Sequence, residues 1–193
     1  MQTDPWLTRW LPHIAEHAEG LPVLEIGCGS GADTATLVGA GIEVVAFDLD
    51  ASAIERARQQ VPGATFLVRD VREPFPPEVR ETGAIVASLS LHYFPWDDTL
   101  ALFQKVRQTL KPGGLLVCRL NSTQDIHFGA TGYPEIEPNY YMVDGAPKRF
   151  FDQASVNAIL ATGWQILSVQ HLFTDKYVKP KALWEFVCTK SDF

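Results

Sequence analysis

Apolar and polar positions follow one another along this chain in two kinds of block. LPVLEI, IEVVAFD, ATFLVRD, GAIVASLS and LLVCRL are short and apolar almost throughout, the pattern of strands covered on both faces. Between them ADTATLVGA, ASAIERARQQ and TLALFQKVRQTL carry apolar residues at helical spacing. Gly39 and Gly41 close the first of these helices, and Pro62-Gly63 closes the second. Asp97 and Asp98 stand before the third, which has basic residues near its end, as the helix dipole favours. Lys111-Pro112-Gly113-Gly114 predicts a turn ahead of LLVCRL. From Asn121 to Lys148 the rhythm fails, which predicts a long loop or partly helical insertion, a length common in lids and substrate-binding elements. FDQASVNAILAT then predicts a helix with Asp152 as N-cap and Gly163 past its end. WQILSVQHLF and ALWEFVCTK predict a strand hairpin across DKYVKPK.

Alternating strands and helices imply right-handed parallel crossovers. The expected fold is α/β: a doubly wound, mostly parallel seven-stranded sheet with helices on both faces, closed by a reversed, antiparallel final strand at its edge. Ligands in such sheets bind beyond the carboxyl ends of the strands, where strand order reverses. Gly27 to Gly31, Asp48, Asp70 and Ser88 to His92 each follow a strand, so they are expected to converge there.

Composition narrows the classes. The chain of 193 residues suits a single domain, 1–193, and its 46% hydrophobic and 20% charged content is that of a globular protein. No apolar run nears the roughly 20 residues that span a bilayer. The N-terminus is broken by Pro5 and Pro12 and lacks the order of a signal peptide, so a cytoplasmic location is expected. A net charge of -7 argues against nucleic acid or an anionic membrane as partner. Lys176, Lys179 and Lys181, beside a predicted turn, read as a solvated edge. Cys28, Cys118 and Cys188 form no CxxC pair and read as buried reduced thiols.

The stretch VLEIGCGSG places a glycine turn directly after a strand. Such a turn alone fits a dinucleotide as well as other cofactors. Glu25, two residues before it, would oppose a pyrophosphate unless its side chain points away. S-adenosylmethionine has no phosphate, and its ammonium would be favoured by that acid. Asp48 can accept hydrogen bonds from both ribose hydroxyls, and Asp70 from the adenine amino group beside the Val71 N–H. Each acid alone could equally be a turn or cap residue.

Together VLEIGCGSG, VVAFDLD, FLVRDV, AIVASLSLHYF and LKPGGLLVCRL resemble, in order and spacing, the motifs of the class I S-adenosylmethionine-dependent methyltransferases. The resemblance covers Leu21 to Leu120 and implies their Rossmann-like fold; the small chain and closing hairpin are similar to the compact small-molecule enzymes of the tellurite-resistance type. It implies that Glu25 and the turn of Gly27, Cys28, Gly29 and Gly31 bind the methionine portion. It assigns Asp48 to the ribose, Leu49 to one adenine face, Asp70 and Val71 to the adenine edge, and Ser88 or Leu89 to the amino group. S-adenosylhomocysteine is then the product. Two rival readings stay open: a protein that binds S-adenosylmethionine without turnover, and a nicotinamide-dependent oxidoreductase.

A sulfonium methyl needs chiefly a nucleophile held in line, so no base is assumed. His92, after the fourth strand, either orients the acceptor, serves as base, or only packs in its loop. Leu89-Ser90-Leu91-His92 stands where amino-methylating enzymes of the class carry Asn-Pro-Pro-Tyr, which lowers the odds of a nucleic-acid substrate. The expected acceptor wall comprises Trp10, His92, Tyr93, Asn121, Asp125, Tyr140 and Arg149, drawn from an N-terminal lid helix (1–20), the loop after the fourth strand and the insertion (121–150). Trp6 and Trp10, four apart, would share a helical face, and Arg9 would reach the cofactor carboxylate. Phe150 and Phe151 are expected to pin the insertion to the core. Asp125 and His127 lack a third ligand, so no metal is expected. Monomer and homodimer are both open.

Overall fold

The computed structural model describes residues 5–191; the first four residues of the expected lid lie outside that range. The five apolar runs form β1 (Val23–Ile26), β2 (Val44–Asp48), β3 (Thr65–Val68), β4 (Thr82–Ser88) and β5 (Leu110–Asn121). They pair in parallel in the order β3-β2-β1-β4-β5. Strand order reverses between β1 and β4, which is where a ligand crevice belongs. The Lys111–Gly114 segment does not break β5: it sits inside the strand as an irregularity, with Thr82 opposite Leu110 and Ala84 already opposite Leu115.

Side chains of each strand alternate between two apolar clusters. On one face Leu24, Ile85 and Leu116 pack with α4 (Trp96–Thr109) and α5 (Gln153–Leu160) through Phe103, Val106, Val156 and Leu160. On the other, Val23, Val86 and Val117 pack with α1 (Leu11–Ala18), α2 (Ala32–Gly39) and α3 (Ala51–Gln60) through Ile14, Leu37 and Ile54. Asp50 caps α3, and Asp152 caps α5 in a reciprocal capping box with Ser155. No helix among the described residues is long and apolar enough to cross a membrane.

The insertion departs from expectation. It holds a three-stranded antiparallel sheet, β6 (Glu135–Glu137), β7 (Tyr140–Val143) and β8 (Ala146–Arg149), where a loop or partial helix was predicted. Asp144-Gly145, with φ of 50° and 82°, makes the tight turn that suits a two-residue hairpin.

The terminal hairpin forms as β9 (Trp164–Thr174) and β10 (Lys181–Lys190). The reversed last strand is not at the edge, however: β10 lies between β5 and β9, and β9 is the edge. Burial explains the order. Lys181 to Thr189 are all buried, whereas β9 leaves polar side chains and Ile166, Leu167 and Phe173 in contact with solvent.

Residues Pro5–Trp10 form a 3-10 turn leading into α1, which lies across β4 and β5. The approach is close enough to demand Gly83, where a Cβ would come within 1.9 Å of the His17 carbonyl oxygen.

Candidate functional site

A cavity of about 590 Å³ opens at the carboxyl ends of β1, β2 and β4, within the range usual for small-ligand sites. Ile26 and Gly27, at the end of β1, line it. Gly27 has φ 72°, and a Cβ there would meet the Ser90 Cβ at 2.3 Å. Ser90 in turn donates from Oγ to the Ile26 carbonyl at 2.6 Å, joining β1 to the loop after β4.

Asp48 ends β2 at the centre of this wall. Its Oδ2 accepts from the Gly29 N–H and its Oδ1 from the Asp50 N–H, each at 2.9 Å. Leu49 beside it is 68% exposed and forms an open apolar face on the cavity. Asp70 and Val71 continue the rim. Asp70 accepts from the Arg72 N–H at 2.9 Å and from its Nε at 3.0 Å, and the guanidinium holds the Asp70 pKa down to about 2. Leu89, Ser90, Tyr93 and Phe94 close the opposite side, with Leu89 at φ 55°. Ile26, Phe47, Asp50, Arg69, Arg72 and Phe94 are lining residues that the sequence did not single out; each adjoins a motif that it did.

Other expected cofactor residues stand behind this surface. Glu25 points toward α2, where the Thr34 hydroxyl donates to it at 2.5 Å, and it does not line the cavity. Burial lifts its pKa to about 8, against the lowering effect of Thr34. An acid that is buried and largely protonated at neutral pH is not the exposed anion that the argument from charge required. Cys28, Gly29, Gly31 and Ser88 are likewise not lining residues. Gly29 spends its N–H on Asp48, and Gly31, φ 87°, caps α2. The Cys28 thiol is buried and its pKa is raised by desolvation.

Of the acceptor candidates only Tyr93 lines the cavity. His92 and Asn121 are buried, with Nδ1 of the first and Oδ1 of the second lacking a hydrogen-bond partner among the described residues. The His92 ring packs on Tyr93 at 4.3 Å. Tyr140 and Arg149 are structural: Tyr140 donates to the Tyr93 carbonyl at 2.9 Å, and Arg149 donates from Nε to the Phe94 carbonyl at 3.0 Å. Arg149 also pairs with Glu137, which accepts from the Trp96 N–H at 2.6 Å. Phe150 and Phe151 are fully buried, as expected of pins.

Asp125 is buried and bonded to Lys181 Nζ at 2.5 Å. Lys181 is thus no solvated edge; its ammonium also lies 4.8 Å from the Phe128 ring centre. Trp10 donates to Glu185 at 3.0 Å, and Arg9 pairs with the same carboxylate, so neither lines the cavity. Trp6 donates to Asp33 at 3.0 Å instead. At three residues per turn, positions four apart do not share a face, which is why the two tryptophans diverge. The described part of the expected lid is therefore a brace between α2 and β10.

Residues 23–114 match the family described as Methyltransferase domain. The carboxy-S-adenosyl-L-methionine synthase of Shewanella loihica is 28% identical over 105 residues, 49% of this chain and 42% of that protein. The trans-aconitate 2-methyltransferase of Afipia carboxidovorans is 28% identical over 109 residues, 55% of this chain and 41% of that protein. The chain spans less than half the length of either relative. A solved S-adenosylmethionine-dependent methyltransferase from Mesorhizobium loti aligns with a TM-score of 0.74 at 21% identity, covering 95% of this chain and 97% of that one. At that identity the likeness concerns the fold.

Proposed function

We propose that this chain, a class I S-adenosylmethionine-dependent methyltransferase with S-adenosylmethionine as its cofactor, methylates a small-molecule acceptor. Bound in the cavity, the cofactor would supply an electrophilic methyl on sulfur, and the chain's own residues would position it. Each Asp48 oxygen accepts one backbone N–H and keeps a second lone pair for a ribose hydroxyl. The open face of Leu49 suits a planar base, and Asp70 with the Val71 N–H suits its edge. Gly27 lets backbone approach where a side chain would fill the space. A small acceptor agrees with the net charge of -7 and with the names of the two curated relatives.

The observation that carries this reading is Asp48 held between Gly29 and Asp50 on the cavity wall. It also counts against a nicotinamide dinucleotide. The Gly29 N–H, which a pyrophosphate would need, is already donated to a carboxylate, and that carboxylate repels a phosphate. This replaces the argument first drawn from Glu25.

Calorimetric titration of the full chain with S-adenosylmethionine, S-adenosylhomocysteine and NADH tests the assignment. Both adenosyl ligands are expected to bind at micromolar strength, and Asp48→Ala to weaken them by at least ~30-fold, about 2 kcal/mol. Binding of NADH alone would overturn it. Binding of the adenosyl ligands without methyl transfer to any acceptor would favour the non-catalytic reading.

A further inference from the structure

Resting on that methyl-transfer reading, we propose that the acceptor is a small carboxylate bearing a hydroxyl, seated between His92 and Asn121 and methylated on its carboxylate oxygen without a general base.

His92 and Asn121 are 3% and 2% exposed, and each leaves one side-chain polar atom without a hydrogen-bond partner among the described residues. Buried polar atoms are almost always satisfied, so two unsatisfied ones together mark a place where a ligand completes the bonding. One short segment holds both backbones: Arg149 N–H donates to the His92 carbonyl at 2.7 Å and Phe151 N–H to the Asn121 carbonyl at 2.8 Å. The two residues follow β4 and end β5, which are neighbours in the sheet. His92 packs on Tyr93, a wall of the cofactor cavity.

Charge then selects the ligand. The charged groups acting on His92 are Lys181 of β10 and Lys148 of β8; the nearby Asp125 is engaged by Lys181 and by the Ala182 N–H. Burial and these two lysines push the His92 pKa down to about 3, so the imidazole stays neutral and cannot take up a proton near neutral pH. An alcohol or an ammonium acceptor must lose a proton to become a methylated neutral product, and neutral His92 is a poor acceptor for it; an ammonium is also repelled by the two lysines. A carboxylate arrives ionised. One of its oxygens accepts from neutral His92 Nδ1–H, and the hydroxyl of the same molecule donates to Asn121 Oδ1. The other carboxylate oxygen forms the new O–CH3 bond as the S–CH3 bond breaks, with that electron pair passing to sulfur. Anion and sulfonium become neutral ester and neutral thioether, and no proton moves.

The full chain is incubated with methyl-tritiated S-adenosylmethionine and separate panels of hydroxycarboxylates (malate, citrate, tartrate), alcohols, primary amines and thiols. Label is expected in the hydroxycarboxylate panel, released as volatile methanol by mild alkali, with a rate flat across about pH 6 to 8.5. His92→Gln is expected to raise KM about tenfold with kcat and pH profile little changed. Asn121→Ala is expected to lose the preference for a hydroxy acid over its deoxy counterpart. Lys148→Gln, at a half-buried position, should raise KM severalfold and stands in if His92→Gln fails to fold. Alkali-stable label on an alcohol, amine or thiol overturns the inference. So does a pH-dependent limb that His92→Gln abolishes, or cofactor binding with no label in any carboxylate. Failure to bind S-adenosylmethionine at all would instead sink the methyltransferase reading beneath it.

Discussion

Glu25 shows how one residue can be located correctly and oriented wrongly. The sequence places it on the strand before the glycine turn, and β1 does end there. Alternation along β1 then turns Leu24 and Ile26 to one face and Glu25 to the other, toward Thr34 of α2. Its pKa rises from 4.5 to about 8 on folding. Between those values the native chain holds a proton that the unfolded chain releases, so stability falls as pH rises through this window and levels off above it. Glu25→Gln is expected to remove that decline. Melting temperatures of unliganded protein at several pH values should show the variant ahead by roughly 3 °C or more above pH 8, and level with the parent near pH 4.5. A difference independent of pH would mean that Glu25 is ionised in the fold. Asp48 and Asp70 were legible because the first ends β2 and the second lies two residues beyond β3, where the chain direction carries both to the cavity rim.

The inserted sheet grips the loop after β4. Arg149 of β8 donates to the Phe94 carbonyl, to the Pro138 carbonyl at 3.2 Å and to Glu137, and it lies over the rings of Trp96 and Tyr140 at 5.5 and 4.9 Å. Tyr140 of β7 adds its bond to the Tyr93 carbonyl. Tyr93 and Phe94 are cavity wall, so the insertion shapes the cavity by bonding to their carbonyls. Arg149→Ala is expected to cost about 3 kcal/mol of stability, read from urea unfolding, and to weaken S-adenosylhomocysteine about tenfold in calorimetry, though the side chain does not line the cavity. Arg149→Lys should fall between, because an ammonium cannot reproduce the planar fork. An unchanged affinity in a stable Arg149→Ala protein would show that the loop holds its shape alone. The Asp-Gly turn was readable as a hairpin signal, but the Pro- and Gly-rich stretch before it hides the short strands.

On the scale of the whole molecule, the last strand completes the sheet from within. β10 is hydrogen-bonded on both sides, to β5 and β9, and Phe186, Val187 and Cys188 are fully buried. The connection before it is exposed, with Tyr177 39% and Val178 fully accessible. Limited trypsin cleavage after Lys176 is therefore expected to leave both fragments together in native size exclusion, separating only in denaturant. Release of the C-terminal fragment without denaturant would contradict the interior position of β10.

The sequence by itself determined the alternation of strands and helices, the glycine turn, and the acids at the end of β2 and just beyond β3. These are local matters: periodicity, turn chemistry and caps are settled by neighbours along the chain. Only the tertiary structure decided that β10 is interior and that Lys181, far along the chain, neutralises Asp125. It alone paired Glu25 with Thr34 and left one polar atom each of His92 and Asn121 buried without a partner among the described residues. The physical reason is that a buried polar group takes its partner from whatever segment packs against it, and that segment is chosen by the burial of the whole sheet, not by the residues beside it in sequence.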